Sequence, residues 1–187
     1  MTNKPLGRPT NDKLILSKDD ILKEALKILD KQGESGLSFR KLANVFGVTA
    51  MALKHHVGSR QDIIKSLVEI VYKNVNETTI TNDSKDAIRT LVGNYCKCVF
   101  RHPNISRLLL TDHSLINKEL IDLTNSIRKH AILLVNDKTE GILFADVIVD
   151  YTHGFALAAA SQNEKTDIGV LTINDFFKGI DWILGRV

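Results

Sequence analysis

An all-α fold is predicted for this chain of 187 residues. Three observations predict it. Apolar residues recur at i, i+3, i+4 and i+7 through most of the length, which is the spacing of one buried helix face. Ser or Thr stands just ahead of several of these stripes, where a helix needs an acceptor for its free N–H groups. No stretch shows the two-residue alternation of a strand, and there is no internal repeat or low-complexity tract. Eight or nine helices are expected.

The elements follow in order. Residues 1–16 are polar, hold two of the three prolines and carry Lys4, Arg8 and Lys13; they read as a flexible basic arm. In Gly7-Arg8-Pro9 an Arg in extended backbone could enter a narrow A·T minor groove. The same residues also fit an unstructured leader. Ser17 with Asp20 marks the start of a first helix, whose stripe is Ile21, Leu22, Ala25, Leu26, Ile28 and Leu29 and whose end is near Gly33. Ser38 caps a second helix with Phe39, Leu42, Ala43 and Phe46 on one face. Gly47 permits a tight stop, Val48 is an apolar plug, and Thr49 caps a third helix of about two turns. Leu53 and Val57 point into the core. Thr49, Ala50, Met51, Lys54, His55 and His56 are left outside. Residues 38–60 are therefore a helix-turn-helix, a motif whose second helix enters the DNA major groove.

Ser59 caps a fourth helix over about 60–78. Polar residues 78–85 break the pattern. Further helices are expected over about 84–101, ending at His102-Pro103, then 104–111, 115–136, 139–161 and 172–185. Residues 17–64 thus form a helix-turn-helix domain and 65–187 a C-terminal helical bundle.

Charge is unevenly placed. The whole chain carries net +3, but residues 1–60 hold 11 Lys+Arg against 6 Asp+Glu, and the remainder 14 against 16. The basic excess lies with the helix-turn-helix. Cys96 and Cys98 point about 200° apart on a helix and cannot pair, which fits a reducing cytoplasm. The N-terminus lacks the apolar run of a signal peptide. No apolar run approaches a membrane span; residues 142–160 come nearest, interrupted by Asp146, Asp150 and His153.

Individual side chains suggest chemistry. Arg40 can bond G O6 and N7 bidentately. Ala50 and Met51 offer apolar contact to a thymine methyl. Lys54, His55, His56 and Arg60 suit phosphates, the histidines only when protonated. His55 and His56 point about 100° apart on a helix, too far for one metal to take both. Asp146, Asp150 and His153 share a helix face, as a metal or ligand site or as a polar stripe between helices. Asn94, Tyr95, Cys98, His113 and His130 are interspersed among apolar residues and are candidate ligand-binding groups or bonded core polars. No metal or cofactor site is expected. No phosphate loop, Cys/His metal pattern or nucleophile elbow is present, so no enzyme is expected. Ala156, Ala158, Ala159, Ala160 and Ser161 would let a partner helix approach closely, making 139–161 and 172–185 candidates for a dimer interface.

Residues 17–67, containing ILKEALKILDKQGESGLSFRKLANVFGVTAMALKHHVGSRQDII, resemble the DNA-binding domain of the TetR family of transcriptional repressors. HPNISRLLLTD, YTHGFALAA and FFKGIDWILGRV are similar to the ligand-binding domain of its tetracycline-repressor branch. There are two departures: Lys54 stands where the family usually has a phosphate-touching Tyr, and Arg60 where it often has Lys. The resemblance implies a ligand-responsive repressor that binds a pseudo-palindromic double-stranded operator as a homodimer, with a small-molecule effector of unknown identity in the C-terminal bundle. It implies no membrane association. Two other readings stay open: a DNA-binding protein of this fold without an effector, and a helical interaction module that has lost DNA binding.

Overall fold

The computed structural model describes residues 16–77, 83–161 and 171–187. Among these there are nine α-helices and no strand. Lys4 and Arg8 of the expected arm lie outside the described residues.

The first helix, α1 (Lys18–Gln32), begins where the Ser17 hydroxyl accepts the Asp20 N–H. Next come α2 (Phe39–Phe46), α3 (Ala50–Val57) and α4 (Arg60–Tyr72). The fourth is shorter than its periodicity predicts. Beyond Tyr72 the backbone closes into turns, Val75 N–H to Tyr72 O and Glu77 N–H to Asn74 O, while Val75 remains buried. The chain continues as α5 (Ser84–Arg101), α6 (Pro103–Thr111), α7 (Lys118–Val135), α8 (Lys138–Ala160) and α9 (Ile173–Leu184). Pro103 is the first residue of α6, where its missing N–H costs no helical bond. The seventh helix starts three residues later than predicted, because His113–Leu115 forms a separate 3-10 turn and Asn117 supplies the cap.

Helices α5, α7 and α8 pack on one another as the centre of the C-terminal half, with α9 laid across α5 and α8. The first helix bridges to this half through α4 and α6. Buried apolar residues from Ile21 to Leu184 form one continuous core. Where α7 meets α8 the approach is very close: a Cβ on Gly141 would sit 2.5 Å from the Ile132 Cα.

At 23 residues and a mean hydropathy of 1.4 in its most apolar part, α8 is long and apolar enough to cross a membrane. This corrects the expectation that no run reaches that length. Of its most apolar part 22% is buried: Ala145, Ile148, Thr152 and Ala156 face neighbouring helices, and Asp146 accepts from Arg128 of α7 at 2.8 Å.

Candidate functional site

Local chemistry shapes the helix-turn-helix. The Ser38 hydroxyl caps α2 by accepting the Lys41 N–H at 3.3 Å. Gly47 ends it at φ 63°, a left-handed conformation that a side chain disfavours. Thr49 Oγ1 then accepts the Ala52 N–H at 3.1 Å and starts α3. Leu42, Ala43, Leu53 and Val57 are buried and fix both helices to α1. These anchors turn a fixed face outward: Arg40, Thr49, Ala50, Lys54, His55 and His56 are exposed, and Met51 is 77% exposed.

That face is acid-free, since residues 38–59 contain no Asp or Glu. Among the described residues, no ion pair engages Arg40 or Lys54. Their charges are free for an anionic partner. The His55 and His56 rings stand edge to face at 6.1 Å, and no group of three metal-binding side chains occurs among the described residues.

Arg60 differs from its expected part as a free phosphate-binding cation. Its partly exposed guanidinium donates to Glu34 Oε1 at 3.0 Å, Glu34 O at 2.8 Å and Leu37 O at 3.3 Å. It ties the start of α4 to the turn before α2, sharing the Glu34 carbonyl with the Leu37 N–H, which closes that turn at 3.2 Å.

A second site lies in the C-terminal half. A cavity of about 440 Å³ opens between α5, α6, α7 and α8. Its inner wall includes Val92, Tyr95, Ile127, Thr152 and His153, and its mouth includes Leu110, Ile116 and Ile121. Of the five candidate ligand residues, Tyr95 and His113 line it. Asn94 and Cys98 do not, since they face another side of α5, in a cleft of about 360 Å³. There Asn94 donates to Glu77 O at 2.8 Å and Cys98 to Val71 O at 3.4 Å, binding α5 to the end of α4. His130 also lies elsewhere, 3.3 Å from the Ser84 hydroxyl. The Asp146, Asp150 and His153 stripe splits: Asp146 pairs with Arg128, and only His153 joins the cavity wall. Arg128, Thr124 and Thr152 are lining residues that sequence did not single out as ligand groups, and His153 was singled out only as part of that stripe. The one signal available was polar spacing on an apolar helix, which does not tell a cavity wall from a helix contact.

Burial controls the wall's electrostatics. It pushes the Tyr72 phenol up to about 12 and the Tyr95 phenol higher still. It moves His153 below its ordinary value, partly opposed by Asp150 and by a bond to the Val149 backbone. The buried ring is therefore neutral near pH 7.

Polar contacts join the two sites. Gln61, next to Arg60, donates to Asp112 Oδ2 at 3.2 Å and to the Ser114 hydroxyl at 3.3 Å, flanking the cavity residue His113. Asn104 of α6 donates to Leu29 O at 2.8 Å and Asp30 O at 3.1 Å at the end of α1. His102 Nδ1 lies 2.9 Å from Asp30 Oδ2.

No family model matches the chain. It is 24% identical over 102 residues to the HTH-type transcriptional repressor NicS of Pseudomonas putida, covering 52% of this chain and 48% of that protein. It is 27% identical over 105 residues to an HTH-type transcriptional regulator of Saccharopolyspora erythraea, covering 56% and 44%. The match thus spans about half the length of these relatives. Solved structures align more fully. BioQ of Mycobacterium smegmatis superposes with a TM-score of 0.72 at 19% identity, over 91% of this chain and 97% of that one. BioQ with its double-stranded DNA operator gives 0.68 at 18%, over 91% and 97%. A TetR variant from Acinetobacter baumannii in complex with minocycline gives 0.67 at 16%, over 91% and 96%. The nine described helices, with the helix-turn-helix at α2–α3, have the fold of the TetR-family transcriptional regulators.

Proposed function

We propose that this chain is a TetR-family transcriptional regulator that represses by binding a pseudo-palindromic operator as a homodimer and releases it when a small molecule enters the cavity. The observation that carries the DNA-binding part is the acid-free outer face of α2 and α3. Thr49, Ala50 and Met51 occupy the first turn of α3, where a recognition helix meets base edges, with Arg40 and Lys54 unpaired beside them. Arg40 reads a guanine, and Lys54, His55 and His56 meet phosphates.

Dimerisation is supported by apolar surface left in water on the last two helices: Leu143 is 59% exposed, Val147 50% and Trp182 63%. One two-fold axis across α8 and α9 would cover these residues and set two recognition helices toward successive major grooves. The cavity exceeds the lower end for ligand sites, roughly 300 Å³, which favours a ligand-responsive protein over one with a filled core. NicS is a repressor by name, one BioQ structure holds an operator, and a TetR structure holds minocycline.

The test is selection of bound fragments from a random duplex pool, followed by titration of the enriched duplex at several salt concentrations. Enrichment of an inverted repeat, bound by two chains with a steep salt dependence, is the expected outcome. Binding without sequence enrichment would leave a nonspecific DNA binder, and no binding would remove the reading.

A further inference from the structure

We infer that the cavity between α5, α6, α7 and α8 takes an uncharged, mainly apolar molecule carrying an O–H or N–H donor, and rejects anions of the same shape. This rests on the effector reading above and adds the chemical class of the ligand.

The first argument is charge. Arg128, the one permanent cation among the lining residues, already donates through Nε at 3.3 Å and Nη2 at 2.8 Å to Asp146. His153 is held neutral by burial, and His113 lies at the exposed mouth. A carboxylate, sulfonate or phosphate would enter without a free counter-charge, and burying an unpaired anion is strongly disfavoured. An ammonium fares no better, because the Asp146 carboxylate is occupied by Arg128.

The second argument concerns protons. The threonine hydroxyls of the wall spend theirs on the protein. Thr152 Oγ1 donates to Ile148 O at 2.7 Å and Thr124 Oγ1 to Leu120 O at 3.1 Å. The Tyr95 ring is packed between Tyr72, at 5.7 Å, and His153, at 4.9 Å. A neutral imidazole keeps one ring nitrogen as an acceptor. The two threonine oxygens and that nitrogen present lone pairs. They complement a donor on the ligand and repel an anion.

The third argument is the mouth. Leu110, Ile116 and Ile121 are each 44–51% exposed there. An apolar ligand body would cover them and gain by removing their surface from water.

Two probes with one skeleton separate the alternatives. N-phenyl-1-naphthylamine is neutral and carries an N–H; 8-anilino-1-naphthalenesulfonate adds a sulfonate to the same rings. Fluorescence titration of the full chain should show the neutral probe binding at least ten times more tightly. Thr124→Trp narrows the cavity from its half-buried wall, and Ile121→Trp narrows it from the exposed rim, with helix content checked by circular dichroism. Either should weaken the neutral probe about ten-fold and leave any residual sulfonate signal unchanged. Sulfonate binding equal to that of the neutral probe and lost in these variants would overturn the inference. So would neutral-probe binding that both folded variants leave unaltered. Operator binding measured with each probe keeps the two levels apart. Neutral-probe binding in the cavity without loss of DNA affinity supports the ligand class and removes the effector reading; cavity-bound sulfonate that releases DNA does the reverse.

Discussion

The hydroxyls of Tyr72 and Ser106 lie 2.7 Å apart in the interior and join α4 to α6. Both residues are almost fully buried, Tyr72 at 0% and Ser106 at 2%. Ser106 also donates to His102 O at 3.3 Å, and Tyr72 is stacked on the cavity residue Tyr95 with ring centroids 5.7 Å apart. A line of contacts thus runs from the cavity wall to the residue whose ring meets Asp30 of α1. Any change in how α6 sits on α4 must break or lengthen this bond. Ser106→Ala should cost about 1–3 kcal/mol because it strands the buried Tyr72 hydroxyl, and Tyr72→Phe about 0.5–1.5 kcal/mol because Ser106 keeps its bond to His102 O. Their double mutant should cost less than the sum by at least about 0.5 kcal/mol, the mark of a shared contact. Urea unfolding of the four proteins measures this; strict additivity would mean the two hydroxyls are not coupled.

Lys54 and Arg60 should separate in DNA titrations, although sequence alone placed both at phosphates. Lys54 is unpaired and exposed, whereas the Arg60 guanidinium makes three bonds to the turn before α2. Lys54→Ala should reduce the slope of log affinity against log salt by roughly one per half-site. Arg60→Ala should leave that slope nearly unchanged and lower stability by about 1–2 kcal/mol through its lost bonds. A slope change of equal size in both variants would return Arg60 to the DNA surface.

Gly141 provides a test in which packing and helix propensity have opposite signs. In an open helix Gly→Ala stabilises by about 1 kcal/mol. Here the new Cβ would meet the Ile132 Cα at 2.5 Å and its backbone nitrogen at 2.8 Å, atoms that move only if α7 shifts. Overpacking of this kind costs about 1–3 kcal/mol, so Gly141→Ala should lower the melting temperature. A rise would show that α7 and α8 stand further apart.

The helix-turn-helix was legible because its determinants are local. The hydroxyls of Ser38, Thr49 and Ser59 each bond an N–H three residues on, and Gly47 needs only its own φ. The cavity was much less legible. Tyr95, on α5, meets the His153 ring of α8 at 4.9 Å, and nothing in the spacing of either helix says which neighbour it meets. Asn94 and Cys98 show the same limit, because adjacent positions on α5 face different clefts. The bonds of Arg60 were hidden for a related reason. Its partners lie 23 and 26 residues upstream, and a basic residue near a recognition helix looks the same in sequence whether it points to solvent or to a turn.

His153 gives the fold a pH dependence whose sign follows from burial. Its folded value lies below the ordinary 6.5 because desolvation disfavours the charged ring. As pH falls through about 6.5 the unfolded chain takes up a proton at this position, and the folded chain does so only at lower pH. The stability linked to the neutral ring is complete above that range and is lost as pH falls toward the folded value. The slope from one such group is at most about 1.4 kcal/mol per pH unit. His130 is shifted in the same direction, also by burial, so the wild-type slope contains both. Asp62 and Asp112 are held below their ordinary 3.8 by bonds from neighbouring backbone and hydroxyls, and Asp175 first by the Lys178 ammonium and then by Thr172, so all three titrate below this window. Urea unfolding at pH 7.5, 6.5 and 5.5 should therefore show falling stability. His153→Gln should flatten part of the fall, and what remains belongs mainly to His130. If His153→Gln leaves the profile unchanged, the ring is protonated in the folded protein at pH 5.5, and the neutral wall on which the ligand's class depends exists only above that pH.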